Sequence, residues 1–454
     1  MKHGFAKCLL AIVATACTLS GMTAQNISSA YFLEGSFDRY KLNPALTPER
    51  VFASLPVLGG MSFDANMNVG LGNFIYESKS YPGSLTTFMS KDVDAAEFLD
   101  ALPDASALRL NMDMDILAFG FGQERWYAWL DCNFKSRTGL SVPKEMFKFM
   151  KYSLSSGNYH ISDLNVQSVN YIETALGFQF RPISNLSAGV SLKILDGVAY
   201  AKAGIDDMDV STTGEKWSLK ANASVRTSIP GCRMEIEEDR ISEISTGSEF
   251  VNTTPNLGIA LDMGAEYDFK ELVPGLKVSA SLTDLGMIKW KDVEVLETDN
   301  SEYVEFDGFL PDSKADEIGD DLKGMLKMYA KGDGVVKSGL DATLRIGAGY
   351  TLPMVSWLSF GELVTSRLGL YGYTESRTSV MLTPLKWLDV ETDFSVSGIG
   401  TAFGGMINIH PAGANLFIAG EFANIEVNPQ YIPTDMFSAN VSMGVRFGLS
   451  KLRY

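Results

Sequence analysis

Between Tyr171 and Ile194 apolar and polar residues alternate on both sides of a short turn. On the first arm Ile172, Leu176, Phe178 and Phe180 share a face with Thr174, while Glu173, Gln179 and Arg181 share the other with small Ala175 and Gly177. On the second arm Leu186, Ala188, Val190, Leu192 and Ile194 oppose Ser187, Gly189, Ser191 and Lys193. Successive side chains of a strand point to opposite faces of the sheet. Each arm therefore predicts a strand with one face for hydrocarbon and one for water or a polar lumen. The same alternation runs to the end of the chain, and it predicts an all-β fold, a transmembrane antiparallel β-barrel.

Other stretches repeat the pattern. Met61 to Leu71 sets Met61, Phe63, Ala65, Met67, Val69 and Leu71 against Ser62, Asp64, Asn66, Asn68 and Gly70. Leu110, Met112, Met114 and Ile116 alternate with Asn111, Asp113 and Asp115, and Trp126 to Lys135 forms the return strand. Asp389, Glu391 and Asp393 alternate with Leu388, Val390 and Phe394, giving an acidic inward stripe. The final strand sets Phe437, Ala439, Val441, Met443, Val445 and Phe447 against Ser438, Asn440, Ser442, Gly444 and Arg446. Glu173, Gln179, Arg181, Asp389, Glu391, Asp393 and Arg446 are the candidate polar stripe of the lumen. The acidic ladder would pair with arginines of neighbouring strands, with Arg345, Arg367, Arg377 and Arg446 at hand.

Short proline turns join many of these strands, at 181–185, 272–275, 352–356, 383–386 and 410–413. Proline fits because its φ is preset and it has no N–H to give the ladder. Outer-membrane barrels have short periplasmic turns and long extracellular loops, so these turns mark the periplasmic end. Strand direction then gives a parity test. Trp217 to Arg226 alternates like a strand, yet it would run the same way as Leu257 to Phe269, which follows it. Residues 201–228 are therefore expected to form an extracellular hairpin, with Cys232 in a loop after it. About 14 strands remain, an even number as such barrels have.

Residues 25–60 are not strand-like. They carry Tyr31, Phe32, Phe37, Tyr40 and Leu42, which need a surface to bury against, and are expected to form an N-terminal arm or a plug in the barrel mouth. Short extracellular helices are expected near Asp92 to Ala101 and Pro143 to Tyr152. A third is expected over Ser313 to Tyr329, where Ile318, Leu322, Met325, Leu326 and Tyr329 share a helical face. The barrel itself takes residues 61–454.

Composition adjusts this picture in a few places. Lys2 and Lys7, the apolar run Leu9 to Leu19 and Met22-Thr23-Ala24 read as a cleaved signal peptide over residues 1–24. No later run approaches the roughly 18 apolar residues of a transmembrane helix. Export with strands alone points to the cell outer membrane, with outer-membrane lipid as a partner. The formal charge of −17 argues against nucleic-acid binding, which wants basic patches. An oxidising compartment would permit a disulfide between Cys132 and Cys232. Chemistry is scarce. His160 and His410 are the histidines left after cleavage, no Cys/His spacing suggests zinc, and no glycine-rich phosphate loop is present. The reading is of a protein that is not an enzyme, with no cofactor and no metal.

The hairpin ETALGFQFRPISNLSAGVSLKIL and the segment TPLKWLDVETDFSVSG resemble the long-chain fatty acid transporter (FadL-type) superfamily. The segment AYFLEGSFDRYKLNPALTPERVFASLPVLGG is similar to an uncharacterised outer-membrane family of Bacteroidota. The first resemblance implies a 14-stranded barrel with an N-terminal plug that takes up hydrophobic small molecules. The second also implies an alternative, a non-transporting barrel serving as partner or anchor for a secretion or surface complex. Neither resemblance supplies a ligand motif residue by residue.

Overall fold

The computed structural model describes residues 28–451 apart from short loop stretches and the longer 247–254, 307–327 and 424–436. The expected signal peptide and residues 313–327 of the third expected helix lie outside the described residues. The polypeptide folds as a closed antiparallel barrel of 14 strands. Its first position is shared by β1 (Arg50–Ser54) and β2 (Met61–Met67), which lie end to end. Then come β3 (Ala105–Gln123), β4 (Trp126–Pro143), β5 (Gly157–Ile183) and β6 (Leu186–Thr212). After an excursion beyond the wall, the barrel resumes with β10 (Asn256–Asp268) and β11 (Leu276–Thr298). The excursion contains β7 (Trp217–Ser228) and the hairpin of β8 (Cys232–Glu237) with β9 (Arg240–Thr246). β12 (Met328–Gly339) pairs antiparallel with the outer half of β11 and leads into the next wall strand. The wall finishes with β13 (Thr343–Thr351), β14 (Leu358–Arg367), β15 (Tyr373–Leu385), β16 (Leu388–Ser397), β17 (Gly400–Ile409), β18 (Asn415–Ala423) and β19 (Phe437–Lys451). β19 pairs with β1 and β2, which also pair with β3, and this closes the barrel.

Alternation decides the two faces. Leu176, Phe178, Val190, Leu192 and Ile259 point outward and are exposed, Ile259 at 57%. Their lumen-facing neighbours Glu173, Gln179, Ser191 and Lys193 are buried. An apolar exterior over a polar interior inverts a water-soluble protein and suits a bilayer. Strand length sets the height. A spanning strand needs about 9–11 residues, whereas β5 and β6 have 27 each. At about 3.3 Å per residue each is roughly 90 Å long along its tilted path, so most of that length lies beyond the membrane.

β7 pairs with the outer half of β6, from Tyr200↔Ser228 to Thr212↔Trp217, and with β11 at 294–297. It takes the place of β10 above the bilayer and does not span, as the parity of directions required. Phe149, Tyr159, Ile161, Met208, Val210, Trp217 and Leu219 form a core on this extension. Two of the expected helices are present, at Ala95–Asp100 and Lys144–Tyr152. Asp94 caps the first by accepting bonds from the N–H groups of Ala96 and Glu97, both 2.9 Å, which satisfies two of its orphan donors.

Several expectations are corrected. Cys232 opens strand β8 instead of lying in a loop, because β8 and β9 pair with each other beyond the barrel. Tyr329 belongs to β12, not to a helix. Strand β2 ends at Met67, and Leu71 starts a short 3-10 turn. No disulfide joins Cys132 to Cys232.

The proline turns and the short turn before Trp126 lie at one end, with the starts of β1 and the finish of β19. At one of them Gly275 has φ +92 and its missing Cβ would meet the Thr351 carbonyl at 2.1 Å. Only glycine has both the conformational freedom and the absent side chain for that position.

Candidate functional site

The lumen is filled from one end by the chain's own N-terminal segment, Ser28 to Thr47. Glycines on the wall make room for it. A Cβ on Gly264 would meet Asn43 Oδ1 at 2.0 Å, one on Gly189 the Pro44 carbonyl at 2.1 Å, and one on Gly361 the Phe32 ring at 2.4 Å. The expected aromatic residues find their surface here. Phe37 and Tyr40 pack with Phe52, Tyr127 and Trp129, and Tyr31, Leu42 and Leu46 with Leu363.

Polar contacts fix the segment at several heights. Arg446, with no exposed surface, engages both oxygens of Asp38 and reaches Asp115 at 2.6 Å. Lys41 Nζ lies 2.5 Å from Asp115 Oδ1, and Tyr40 donates to Asp131 at 2.8 Å. Ser29 donates to Asp393 and Ser281 to the Leu42 carbonyl, each at 2.8 Å. The Thr47 hydroxyl donates to Gln179 Oε1 at 3.3 Å. Charged pairs of this kind gain strength where water is excluded.

Beyond the segment, on the side away from the proline turns, the barrel encloses a chamber of about 170 Å³. Tyr40, Lys41 and Leu42 form its floor. Its walls carry paired charges from six strands. Lys135 meets Glu173 at 2.9 Å, Lys193 meets Asp262 at 2.8 Å and Asp284 at 2.6 Å, and Arg137 meets Asp113 at 2.5 Å. Val169, Tyr171 and Leu340 supply apolar surface, as does Trp129. A second cavity, about 540 Å³, opens beside the luminal segment at the proline-turn end, where Phe32, Leu33, Phe37 and Met381 lie among Glu34, Arg39, Lys277 and Lys386.

The seven stripe residues separate into four groups. Glu173 lines the chamber. Gln179 and Arg446 hold the N-terminal segment. The acidic ladder lies beside that segment. Asp389 lies 2.9 Å from His410 and accepts from Asn408 at 3.1 Å. Asp393 lies 2.5 Å from Arg377, and Glu391 lies beside Asp393. Arg181 sits in the turn, donating to Ser187 Oγ at 3.2 Å. Of the four arginines expected to neutralise the ladder, Arg377 does so, with Glu375 and Glu421 as further partners. Arg446 is taken by Asp38, while Arg345 and Arg367 line the chamber instead. The chamber cations Arg109, Lys135, Arg137 and Lys193 were absent from the stripe. Their signal in the sequence was a basic residue at an inward position of an alternating strand.

Fold and lumen together define a membrane-type β-barrel that encloses its own N-terminal segment. Residues 44–420 match a family of unknown function, DUF5723. The chain belongs to that family. No curated protein matches it. Among solved structures it is similar to the Ralstonia pickettii toluene transporter TbuX, with 9% identity, TM-score 0.44 and coverage of 95% of this chain and 96% of that one. The Pseudomonas putida toluene transporter TodX gives 9% identity, TM-score 0.42 and 94% and 95% coverage. A Pseudomonas aeruginosa FadL homologue gives 9%, 0.43, and 93% and 95%. Similarity at this level carries no inference about cargo.

Proposed function

We propose that the protein is an outer-membrane channel for small molecules that combine an apolar body with an ionised or strongly polar group, with the Ser28–Thr47 segment as its plug. The observation behind this reading is the enclosed chamber above the segment. Its apolar patches, from Val169, Tyr171 and Leu340 at one level and Trp129 at another, are interleaved with paired charges. A bare hydrocarbon would strip water from these charged pairs without replacing its hydrogen bonds, and a polar group without an apolar body would leave the patches wet. The hydrophobic small molecule expected from the sequence is thereby narrowed to one carrying a polar handle.

Uptake of radiolabelled benzoate into proteoliposomes carrying the full mature chain tests the reading. Faster entry than into empty liposomes, saturating with concentration, is the expected result. Entry at the empty-liposome rate sinks it. The alternative, a barrel that anchors a secretion or surface complex, draws on the extracellular extension of β5, β6 and β7 with its own apolar core. It predicts no uptake of any solute.

A further inference from the structure

We propose that Arg109, Arg345 and Arg367 form a binding site in the chamber for the carboxylate of a compact organic anion. The inference rests on the channel reading and names the charge of the solute's polar group.

Strands β3, β13 and β14 bring the three guanidinium groups together around one ring. Arg109 comes from the wall facing β15 and crosses the lumen to place its Cζ 4.6 Å from the centre of the Tyr373 ring. Tyr373 pairs directly with Arg367 across the β14–β15 ladder. Arg367 is within electrostatic reach of both Arg109 and Arg345. Three like charges repel, so their gathering calls for negative charge among them. Asp341 lies 3.1 Å from Arg367, and Asp64 is within electrostatic reach of Arg109 and Arg367. Asp284, the carboxylate near Arg345, is held by Lys193 at 2.6 Å. Among the described residues no carboxylate is ion-paired with Arg109 or Arg345, so an incoming anion can take that place.

The donors are also unsatisfied. Arg109 and Arg345 are 7% and 5% exposed. Arg109 Nη1, Arg345 Nε and Arg367 Nε have no hydrogen-bond partner among the described residues. Arg345 bonds one group, Thr283 Oγ1 at 3.0 Å. Buried donors without partners are costly. A carboxylate accepts from guanidinium forks through two oxygens and meets that need. Size follows from the walls. The chamber holds about 170 Å³ and is crossed by ion pairs on β4, β6 and β11, so it offers no continuous apolar slot for a long alkyl chain.

Calorimetric titration of the detergent-solubilised full mature chain tests the site. Benzoate is expected to bind, with benzamide and benzylammonium roughly tenfold weaker or worse, because each lacks the negative charge. Octanoate is expected to bind more weakly than benzoate. Arg345→Gln is expected to weaken benzoate by roughly tenfold or more, and Arg345→Lys by less, since lysine keeps the charge without the fork. Equal binding of benzoate and benzamide by the unaltered chain overturns the proposal, whether or not any variant folds. So does unchanged benzoate affinity in folded Arg345→Gln, or binding of inorganic phosphate without binding of benzoate. Benzoate binding that depends on Arg345 without uptake into liposomes would refute the channel and keep the site. Uptake with binding indifferent to Arg345 would do the reverse.

Discussion

Single residues carry the sharpest consequences. Arg446 has no exposed surface and joins Asp38 on the luminal segment to Asp115 on the wall. Removing one partner of a buried ion pair leaves an uncompensated charge, which costs about 3–5 kcal/mol. Arg446→Leu should lower folding stability by that order in urea titrations of the refolded barrel. Asp38→Asn should cost less, because Asp115 still pairs with Arg446 at 2.6 Å. An unchanged midpoint for Arg446→Leu would show that this contact does not hold the segment. On the outer part of β5, well beyond the membrane, His160 Nδ1 lies 2.9 Å from Asp209 and Nε2 lies 3.3 Å from Asp207. The bond to Asp209, then the Asp207 charge, raises the imidazole above its ordinary value of 6.5. Its contribution is therefore fully present below the unfolded pKa and fades as pH rises through the folded one. An NMR titration of the His160 ring should show a raised midpoint that falls in Asp209→Asn. A midpoint at the ordinary value in both would remove this clasp between β5 and β6.

At the scale of elements, period-2 alternation made the barrel legible, since inward and outward faces follow from position alone. Thus Ile172 to Phe180 and Leu186 to Ile194 could be read as wall, and Pro182 as a turn at the same end as Pro411. Direction was legible too, which is why β7 could be set outside the spanning set. What alternation leaves open is which inward residue meets which. Arg446 meets Asp38 from a separation of 408 residues, and no local pattern encodes that. The β8–β9 hairpin escaped for another reason. Two strands that pair only with each other, outside the barrel, answer to no membrane face. Strand height was also hidden, because the upper halves of β5 and β6 keep alternating where they bury against β7 and not against lipid.

The whole molecule poses one question of balance. The chain carries a net charge of −17, yet its lumen is close to neutral where it is described, because most wall charges meet partners on the wall or on the luminal segment. The segment is therefore both a filler and an electrostatic counterpart. Barrel diameter grows with strand number. At about eight strands side chains fill the interior, and at about 16–18 an aqueous channel remains. A barrel of 14 strands lies nearer the second case, and wall glycines such as Gly264 and Gly361 leave space that only the segment occupies. Deleting residues 28–47 should thus empty the lower lumen and expose Arg446, Asp115 and Asp131 to water. In planar bilayers the full mature chain should be silent or nearly so, and the deletion should give discrete conductance steps. Gly264→Leu should give intermediate behaviour, since its side chain intrudes where Asn43 now lies. Heat-modifiable migration on gels would establish that each variant is a closed barrel. A folded deletion variant that stays silent would mean that wall side chains alone close the lumen, and the segment would then be a structural strut and not a plug.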